Sequence, residues 1–217
     1  MEVNRSMNTS PSTGHLGQLL CEAPFRQMFY EFSYWRMDTF IRQMEKERRT
    51  GRILAFVRGL RLSANLIYAI RQILDGTQLT ANWGHLLDES DTFCSRECDV
   101  IIHRKGQIAI WNGTTQPIMD FRFVDQRNAV AVISCKSLLR SGDIDREYCE
   151  SMEPFVQKIR LFAECCGPQS VETIRSKALE SGYEHFWHLY LWSKQTEARP
   201  NSEGWNKFVE EVKKLAR

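Results

Sequence analysis

The chain has 217 residues, and its 42% hydrophobic and 26% charged residues exclude a disordered protein. Its formal net charge of +2 is too small to indicate nucleic-acid binding by itself, so such a function depends on where the basic residues lie. The sequence has no run apolar enough for a membrane-spanning helix, no signal-peptide core and no Cys-x-x-Cys pair among its seven cysteines. We therefore expect a cytoplasmic protein with reduced thiols.

The first third of the chain is predicted to be helical after a flexible tail. Residues 1–15 are rich in Ser, Thr, Asn and Pro and have almost nothing to bury. In the helical segment that follows, over 16–78, the spacing of apolar residues predicts one helix over about 23–49 and a second over about 52–75. Residues 79–217 are predicted to form an α/β core. The helical segment either packs on that core or forms an appendage that docks a protein partner or a second copy of the chain.

From residue 80 the apolar pattern is that of strands, and helices return towards the C-terminus. Short apolar runs separated by Gly, Asn and Asp predict strands at 99–103, 107–111, 118–124 and 129–135. Helices are predicted over 144–165, 170–181 and 203–216, with a further strand at 185–192. This order predicts a mixed sheet that is covered by helices on both faces.

Basic residues are concentrated at the start of the second predicted helix. The group comprises Arg48, Arg49, Arg52, Arg58 and Arg61. The helix that carries most of them has no Asp or Glu from residue 53 to residue 74. Basic side chains that neutralise phosphates supply much of the affinity for nucleic acid, so the group is a candidate nucleic-acid-binding surface. Charged runs also occur on ordinary solvated helix faces, and the sequence leaves both interpretations open.

Two predicted strands carry polar residues of a kind that suits phosphodiester hydrolysis. ECDVIIH begins with Glu97 and Asp99, and AVAVISCKS ends with Ser134 and Lys136. Residues two apart on a strand share a face, so the acids and the lysine converge if the two strands are neighbours. Carboxylate oxygens are the ligands that Mg²⁺ prefers, and a lysine beside them can orient water or stabilise developing negative charge.

These stretches resemble the core of the PD-(D/E)XK restriction-endonuclease-like superfamily, and especially bacterial nuclease-like domains of unassigned function. The resemblance covers roughly residues 52–165 and is sharp over 95–104 and 128–138. It implies an α/β/α sandwich with a central mixed sheet. It also implies a metal-dependent nuclease, acting on DNA in preference to RNA, in bacterial restriction or anti-phage defence. Asp99 would bind Mg²⁺ or Mn²⁺, and Lys136 would be the catalytic lysine.

The sequence departs from the pattern of the superfamily at two places. Ser134 stands where the superfamily has Glu or Asp, sometimes Gln, and a hydroxyl binds Mg²⁺ far more weakly than a carboxylate does. The stretch SANL at 63–66 lacks the glutamate that many relatives carry on the helix before the sheet. A second metal-binding carboxylate would then come from Glu97, Asp91 or Asp120, and Glu97 is the candidate nearest to Asp99 along the chain.

Two functions from different classes therefore stay open. The chain is either a nuclease, with Ser134 in the position of the usual acid, or an inactive subunit of a larger complex. Such a subunit would bind nucleic acid through the arginines, or would serve only as a structural partner. The histidines are weak candidates for metal ligands, because His103 ends an apolar strand, while His185 and His188 face opposite sides of another.

Overall fold

The computed structural model describes residues 51–90, 93–106, 121–166, 170–191 and 199–217. The predicted tail, the predicted helix at 23–49 and the predicted strand at 107–111 lie outside these residues. So do Arg48, Arg49, Asp91 and Asp120. Within the described part of the chain, no helix is both long and apolar enough to cross a membrane.

Along the described residues, a helix is followed by a run of four strands, after which helices and strands are mixed, as the sequence predicts. The elements in chain order are α1 (Gly51–Ile73), β1 (Leu79–Leu87), β2 (Cys98–Arg104), β3 (Phe121–Asp125), β4 (Ala129–Leu139), α2 (Arg146–Met152), β5 (Ile159–Cys166), α3 (Val171–Glu180), β6 (His185–Leu191), β7 (Arg199–Pro200) and α4 (Ser202–Lys214). The strands form one sheet in the order β3-β1-β2-β4-β5-β6-β7. It is mixed, because β1–β2, β2–β4 and β6–β7 pair antiparallel, whereas β1–β3, β4–β5 and β5–β6 pair parallel.

Each face of the sheet is covered by helices that bury an apolar stripe. On one face, α1 and α4 pack over residues such as Val100 and Ile133. On the other, α2 and α3 pack over residues such as Ile101 and Val132. Neighbouring residues of one strand thus enter different cores, as strand geometry requires. The predicted α/β/α sandwich with a central mixed sheet is confirmed.

Helix α1 lies directly over the part of the sheet that carries the candidate site. Leu62, Leu66 and Ile70 follow one another at four-residue spacing and are buried in the core that α1 shares with α4. The chain leaves the helix through Gly76, whose φ of 74° is in the left-handed region that glycine adopts without strain. The predicted end at Asp75-Gly76 is therefore correct to within two residues.

The predicted helix over 144–165 is wrong. The helix α2 ends at Met152, and the following Pro154 cannot continue a helix ladder. The chain then forms β5, in which all eight residues are buried. A parallel strand buried on both faces is a continuous apolar run, and such a run has no period that separates it from a buried helix. Cys165 and Cys166 consequently end a strand, not a helix.

Strand β4 extends further than predicted, and this changes the position of its lysine. The strand runs to Leu139, so Lys136 lies inside it and pairs in register with Ala163 of β5. On the opposite side of β4, the ladder with β2 ends at the pair Val100–Ile133. Beyond Ile133, β4 therefore keeps one neighbouring strand and has lost the other. The candidate site lies in the opening that results.

Candidate active site

Asp99 lies at the point where β2 and β4 separate. Its Oδ2 accepts a hydrogen bond of 2.8 Å from the backbone N–H of Cys135. The carboxylate thus takes the place of a backbone partner for the first part of β4 that β2 no longer pairs with. The condition under which the acidic strand and the lysine strand converge is met, because β2 pairs antiparallel with β4.

The surroundings of Asp99 combine burial with groups of both charges. Burial raises the pKa of the Asp99 carboxyl above its ordinary value, and the neighbouring Glu97 adds to this rise. The hydrogen bond from Cys135, the positive charge of Lys136 and a contact with Ser63 of α1 act in the opposite direction. The net rise in pKa means that, without a bound cation, the surroundings of Asp99 favour its neutral form. A cation beside Asp99 would therefore be strongly attracted to its charged form.

Glu97 is exposed and is held by a residue of the neighbouring strand. Its Oε1 accepts a hydrogen bond of 2.7 Å from the indole Nε1–H of Trp83 in β1. Glu97 is close enough to Asp99 to raise the pKa of that carboxyl. Lys136 is likewise close enough to lower that pKa, so Glu97, Asp99 and Lys136 share one electrostatic neighbourhood.

The side chain of Ser134 contacts a different part of the molecule from those of Asp99 and Glu97. It is buried close to the phenol of Tyr183, whose hydroxyl donates to the carbonyl oxygen of Asp145 at 3.4 Å. Tyr183 is buried in the core beneath α2 and α3, whereas Ser63 contacts Asp99 from α1 on the opposite face. The position of the usual second acid is therefore occupied by a hydroxyl that is buried in the interior.

The thiols beside the site are protonated and do not add ligands. Burial raises the pKa of the Cys98 thiol to about 12, and it raises the pKa of Cys135 well above its ordinary value. Among the described residues, no three His, Cys, Asp or Glu side chains are grouped so that they could hold a metal ion. The protein ligands that these residues offer are thus the carboxylates of Asp99 and Glu97.

Two carboxylates fit a magnesium-type site. Mg²⁺ keeps several water ligands and is commonly bound through one or two carboxylates together with the phosphates of a substrate. Asp99 and Glu97 provide hard oxygen ligands. One oxygen of each carboxylate accepts a hydrogen bond, and this bond fixes the orientation of the second oxygen of the same carboxylate. The residues present are therefore compatible with Mg²⁺ or Mn²⁺ when a phosphate completes the coordination.

Three of the predicted nucleic-acid-binding residues lie on α1. Arg52, Arg58 and Arg61 precede Ser63 on this helix, and Ser63 is the residue through which α1 contacts Asp99. The basic part of α1 is therefore continuous along the chain with its contact to the candidate site. Any contact of these arginines with nucleic acid stays a prediction.

The histidines have structural partners, as predicted. His103 is fully buried, with Nε2 2.8 Å from Asn82 Oδ1 and Nδ1 2.9 Å from the carbonyl oxygen of Arg104. Burial lowers its pKa, so it is neutral. His185 stacks on Trp187, whereas His188 stacks on Phe186, which places the two histidines on opposite faces of β6.

Three contributors to the site are absent from the sequence prediction, namely Ser63, Trp83 and Tyr183. Ser63 offered a signal, because it is a polar residue beside the apolar stripe of α1. Trp83 offered none, since β1 (LTANWGHLL) alternates too weakly to be recognised as a strand. Tyr183 lies in the turn between α3 and β6, and its proximity to Ser134 depends on the packing of α3 against the sheet.

No protein-family model matches the sequence, and no curated protein matches it in sequence comparison. Two solved structures match the fold over nearly the whole chain. NucC of P. aeruginosa ATCC27853 in its cAAA-bound form has a TM-score of 0.55 and 12% identity, covering 95% of this chain and 92% of that one. NucC of E. coli MS115-1, also bound to cAAA, has a TM-score of 0.53 and 10% identity, covering 97% and 93%. The chain thus shares a restriction-endonuclease-like fold with these structures.

Proposed function

We propose that the protein is a metal-dependent nuclease that cleaves DNA by phosphodiester hydrolysis. The observation that carries this proposal is the position of the Asp99 carboxylate in the opening between β2 and β4, with Glu97 and Lys136 beside it. A half-buried acid whose pKa is raised lowers the stability of the fold at neutral pH unless a cation or a proton neutralises it. A bound divalent cation removes that cost and gives the arrangement a function.

Each residue then has a distinct role. Asp99 and Glu97 hold the cation, which when bound polarises the phosphate and activates water. The Cys135 N–H donates to Oδ2 of Asp99 and so orients the carboxylate. Lys136 supplies a fixed positive charge that orients the attacking water and stabilises the negative charge that develops on the phosphate. Ser134 occupies the position of the usual acid without providing a charge.

The basic residues of α1 provide the binding surface in this proposal. Arg52, Arg58 and Arg61, together with Arg48 and Arg49, would neutralise backbone phosphates and hold the duplex along the helix that covers Asp99. A surface of this kind binds without reading sequence, since phosphate contacts position a duplex but do not specify it.

The structural neighbours favour a role in bacterial restriction or anti-phage defence. NucC is a PD-(D/E)XK-fold anti-phage nuclease, and both neighbouring structures contain cAAA. We extend the nuclease role to this chain on the strength of the shared fold together with the Asp99, Glu97 and Lys136 site. Self-association through the N-terminal segment is part of the same proposal.

The proposal is tested by cleavage of plasmid DNA, single-stranded DNA and RNA in Mg²⁺ or Mn²⁺, with and without cAAA. The wild-type protein is expected to nick or linearise the plasmid. Asp99→Asn and Lys136→Ala should each lower the rate by about 100-fold or more, because each removes a group that acts on developing charge. Chelation of the metal should abolish cleavage. Equal cleavage by all three proteins would exclude these residues as the catalytic site.

A second function is favoured by the burial of Ser134 close to Tyr183, on the side of β4 covered by α2 and α3. If this buried hydroxyl leaves the site short of one ligand, the domain binds nucleic acid or a protein partner in a larger complex without cutting. The wild-type protein would then show no cleavage but would bind DNA. Its affinity would fall steeply with salt, and replacement of Arg52 and Arg58 by Gln would reduce that salt dependence by about one phosphate contact each. Neither cleavage nor salt-sensitive binding would leave the role of a structural partner.

A further inference from the structure

Trp83 packs against the core and also makes a hydrogen bond to a charged residue just before the neighbouring strand β2. The residue is partly buried and packs against the core beneath α1 and α4. Its indole Nε1–H nevertheless reaches across to β2 and donates to Oε1 of Glu97 at 2.7 Å. A hydrogen bond to a charged acceptor is stronger and better oriented than one between neutral groups. The bond engages Oε1 and leaves Oε2 of Glu97 for another ligand.

A β-bulge explains why Glu97 and Trp83 meet. In the ladder between β1 and β2, Asn82 pairs with Ile101 and Gly84 pairs with Cys98. Trp83 alone therefore opposes two residues, Asp99 and Val100, so that the extra residue lies in β2. Bulges of this kind bend a strand and redirect its side chains, and they are frequent next to active sites.

The bulge decides the face on which Glu97 lies. Counting on from the Gly84–Cys98 pair, Glu97 is opposite His85 and diagonally across from Trp83, within reach on the same face. Without the extra residue, Glu97 would instead lie opposite Leu86, whose side chain is buried beneath α2 and α3. A shift of one residue moves a side chain to the other face of a sheet. The bulge thus brings the acid out of the core and onto the indole.

The backbone of β1 is shaped for this arrangement. Gly84, next to Trp83, has a φ of 151°, and a Cβ at this position would lie 1.7 Å from the carbonyl oxygen of Arg122 in β3. Only glycine allows β3 to approach so closely. Strand β1 is therefore held closely between β2 and β3. This fixes the backbone of Trp83, whose indole donates to Glu97.

We propose that Trp83 is a positioning residue, which holds Glu97 in the orientation that binds the divalent cation together with Asp99. This inference rests on the proposed function, since it assigns the second metal-binding carboxylate of that site. An exposed glutamate otherwise samples several rotamers, and fixing them in advance lowers the entropy cost of binding. Residues that orient a metal ligand in this way commonly change metal affinity by about 10- to 100-fold when they are replaced.

The inference is tested by Mn²⁺ binding, followed through the electron paramagnetic resonance signal of the free ion. Trp83→Phe and Glu97→Gln should each weaken binding by about 10- to 100-fold. The double variant should be no weaker than Glu97→Gln alone, because the indole acts only through this carboxylate. Additive losses would overturn the inference, since they would indicate a general structural role. Tyr68→Phe, on an exposed part of α1, is the matched aromatic control and should leave the affinity unchanged.

A second measurement does not depend on the folding of the Trp83 variant. Tb³⁺ replaces hard divalent cations and emits when a tryptophan close to it is excited. Wild-type protein should show emission sensitised by tryptophan that Mn²⁺ competes away and that Glu97→Gln loses. Absence of sensitised emission from wild type saturated with Tb³⁺ would overturn the inference.

The outcomes separate this inference from the proposed nuclease activity. Coupled losses of Mn²⁺ affinity in a wild-type protein that cuts no nucleic acid would support the role of Trp83 and contradict the nuclease. Cleavage and Mn²⁺ affinity that are both unchanged in Trp83→Phe would contradict the role of Trp83 and leave the nuclease intact. Failure of the wild type to bind Mn²⁺, both alone and with a non-cleavable phosphodiester present, would overturn both.

Discussion

The Asp99 carboxylate lowers the free energy of unfolding at neutral pH, and a role in metal binding would explain why the residue is present. Its carboxyl is neutral more readily than an exposed one because burial outweighs the hydrogen bond from Cys135 and the charge of Lys136. Functional sites commonly hold groups whose pKa is displaced in this way, at the expense of stability. Ordinary buried acids are instead paired, and their pKa falls.

Replacement of Asp99 by Asn should therefore stabilise the metal-free protein at neutral pH, by on the order of 1 kcal/mol. The amide oxygen can still accept the Cys135 N–H, while the buried charge is lost. Because the folded pKa lies above the ordinary value of 3.8, the two proteins should be equally stable below about that pH. The advantage of the variant should grow as the pH rises through the folded pKa.

Urea unfolding over a range of pH measures this difference. Addition of Mn²⁺ provides the control, because it should stabilise the wild type and not Asp99→Asn. A variant less stable than the wild type at neutral pH, without metal, would contradict the balance of burial and charge described for Asp99.

At the scale of elements, the side chain of Asn201 links the end of the sheet to the last helix. Asn201 caps α4 by accepting the Gly204 N–H at 3.0 Å, and its amide donates to Nε2 of His188 in β6, also at 3.0 Å. His188 must be unprotonated at Nε2 to accept this bond. Burial lowers its pKa to about 4, and the nearby Arg175 contributes in the same direction.

Acid should lower the stability of the fold through His188 before most carboxylates titrate. Because the folded pKa is lowered from 6.5 to about 4, the contribution of His188 to stability is complete above pH 6.5 and is lost progressively as the pH falls from 6.5 to about 4. Unfolding in urea should show a loss of about 2 kcal/mol from this group between about pH 7 and pH 5. His188→Gln keeps an acceptor for Asn201 and should lose that part of the pH dependence. An unchanged pH profile in the variant would contradict this assignment.

At the scale of the whole molecule, the sheet order places the site in the interior of the fold. β2 and β4 are central strands, and their separation beyond the Val100–Ile133 pair creates an opening with α1 above it and the core of α2 and α3 below it. Asp99, Lys136 and Ser63 of α1 thus lie near one another although they come from distant parts of the chain.

Much of the fold could be predicted because the relevant signals are local. The strands β2 and β6 and the helices α3 and α4 agree with their predictions to within a residue or two. Strand β1 is absent from the prediction, since its polar residues obscure the alternation of apolar and polar side chains. The prediction of a helix at β5 is wrong, since a strand that is buried on both faces has no such alternation.

The sequence by itself determined that an acidic strand and a lysine strand exist, that Ser134 replaces the usual acid, and that helices cover a mixed sheet. Only the tertiary structure decided that Asp99 bonds to Cys135, that Ser134 turns to Tyr183 and that Trp83 holds Glu97. The physical reason is register. The face that a strand residue occupies depends on every residue between it and its partner, and one extra residue in β2 reverses the side on which Glu97 lies.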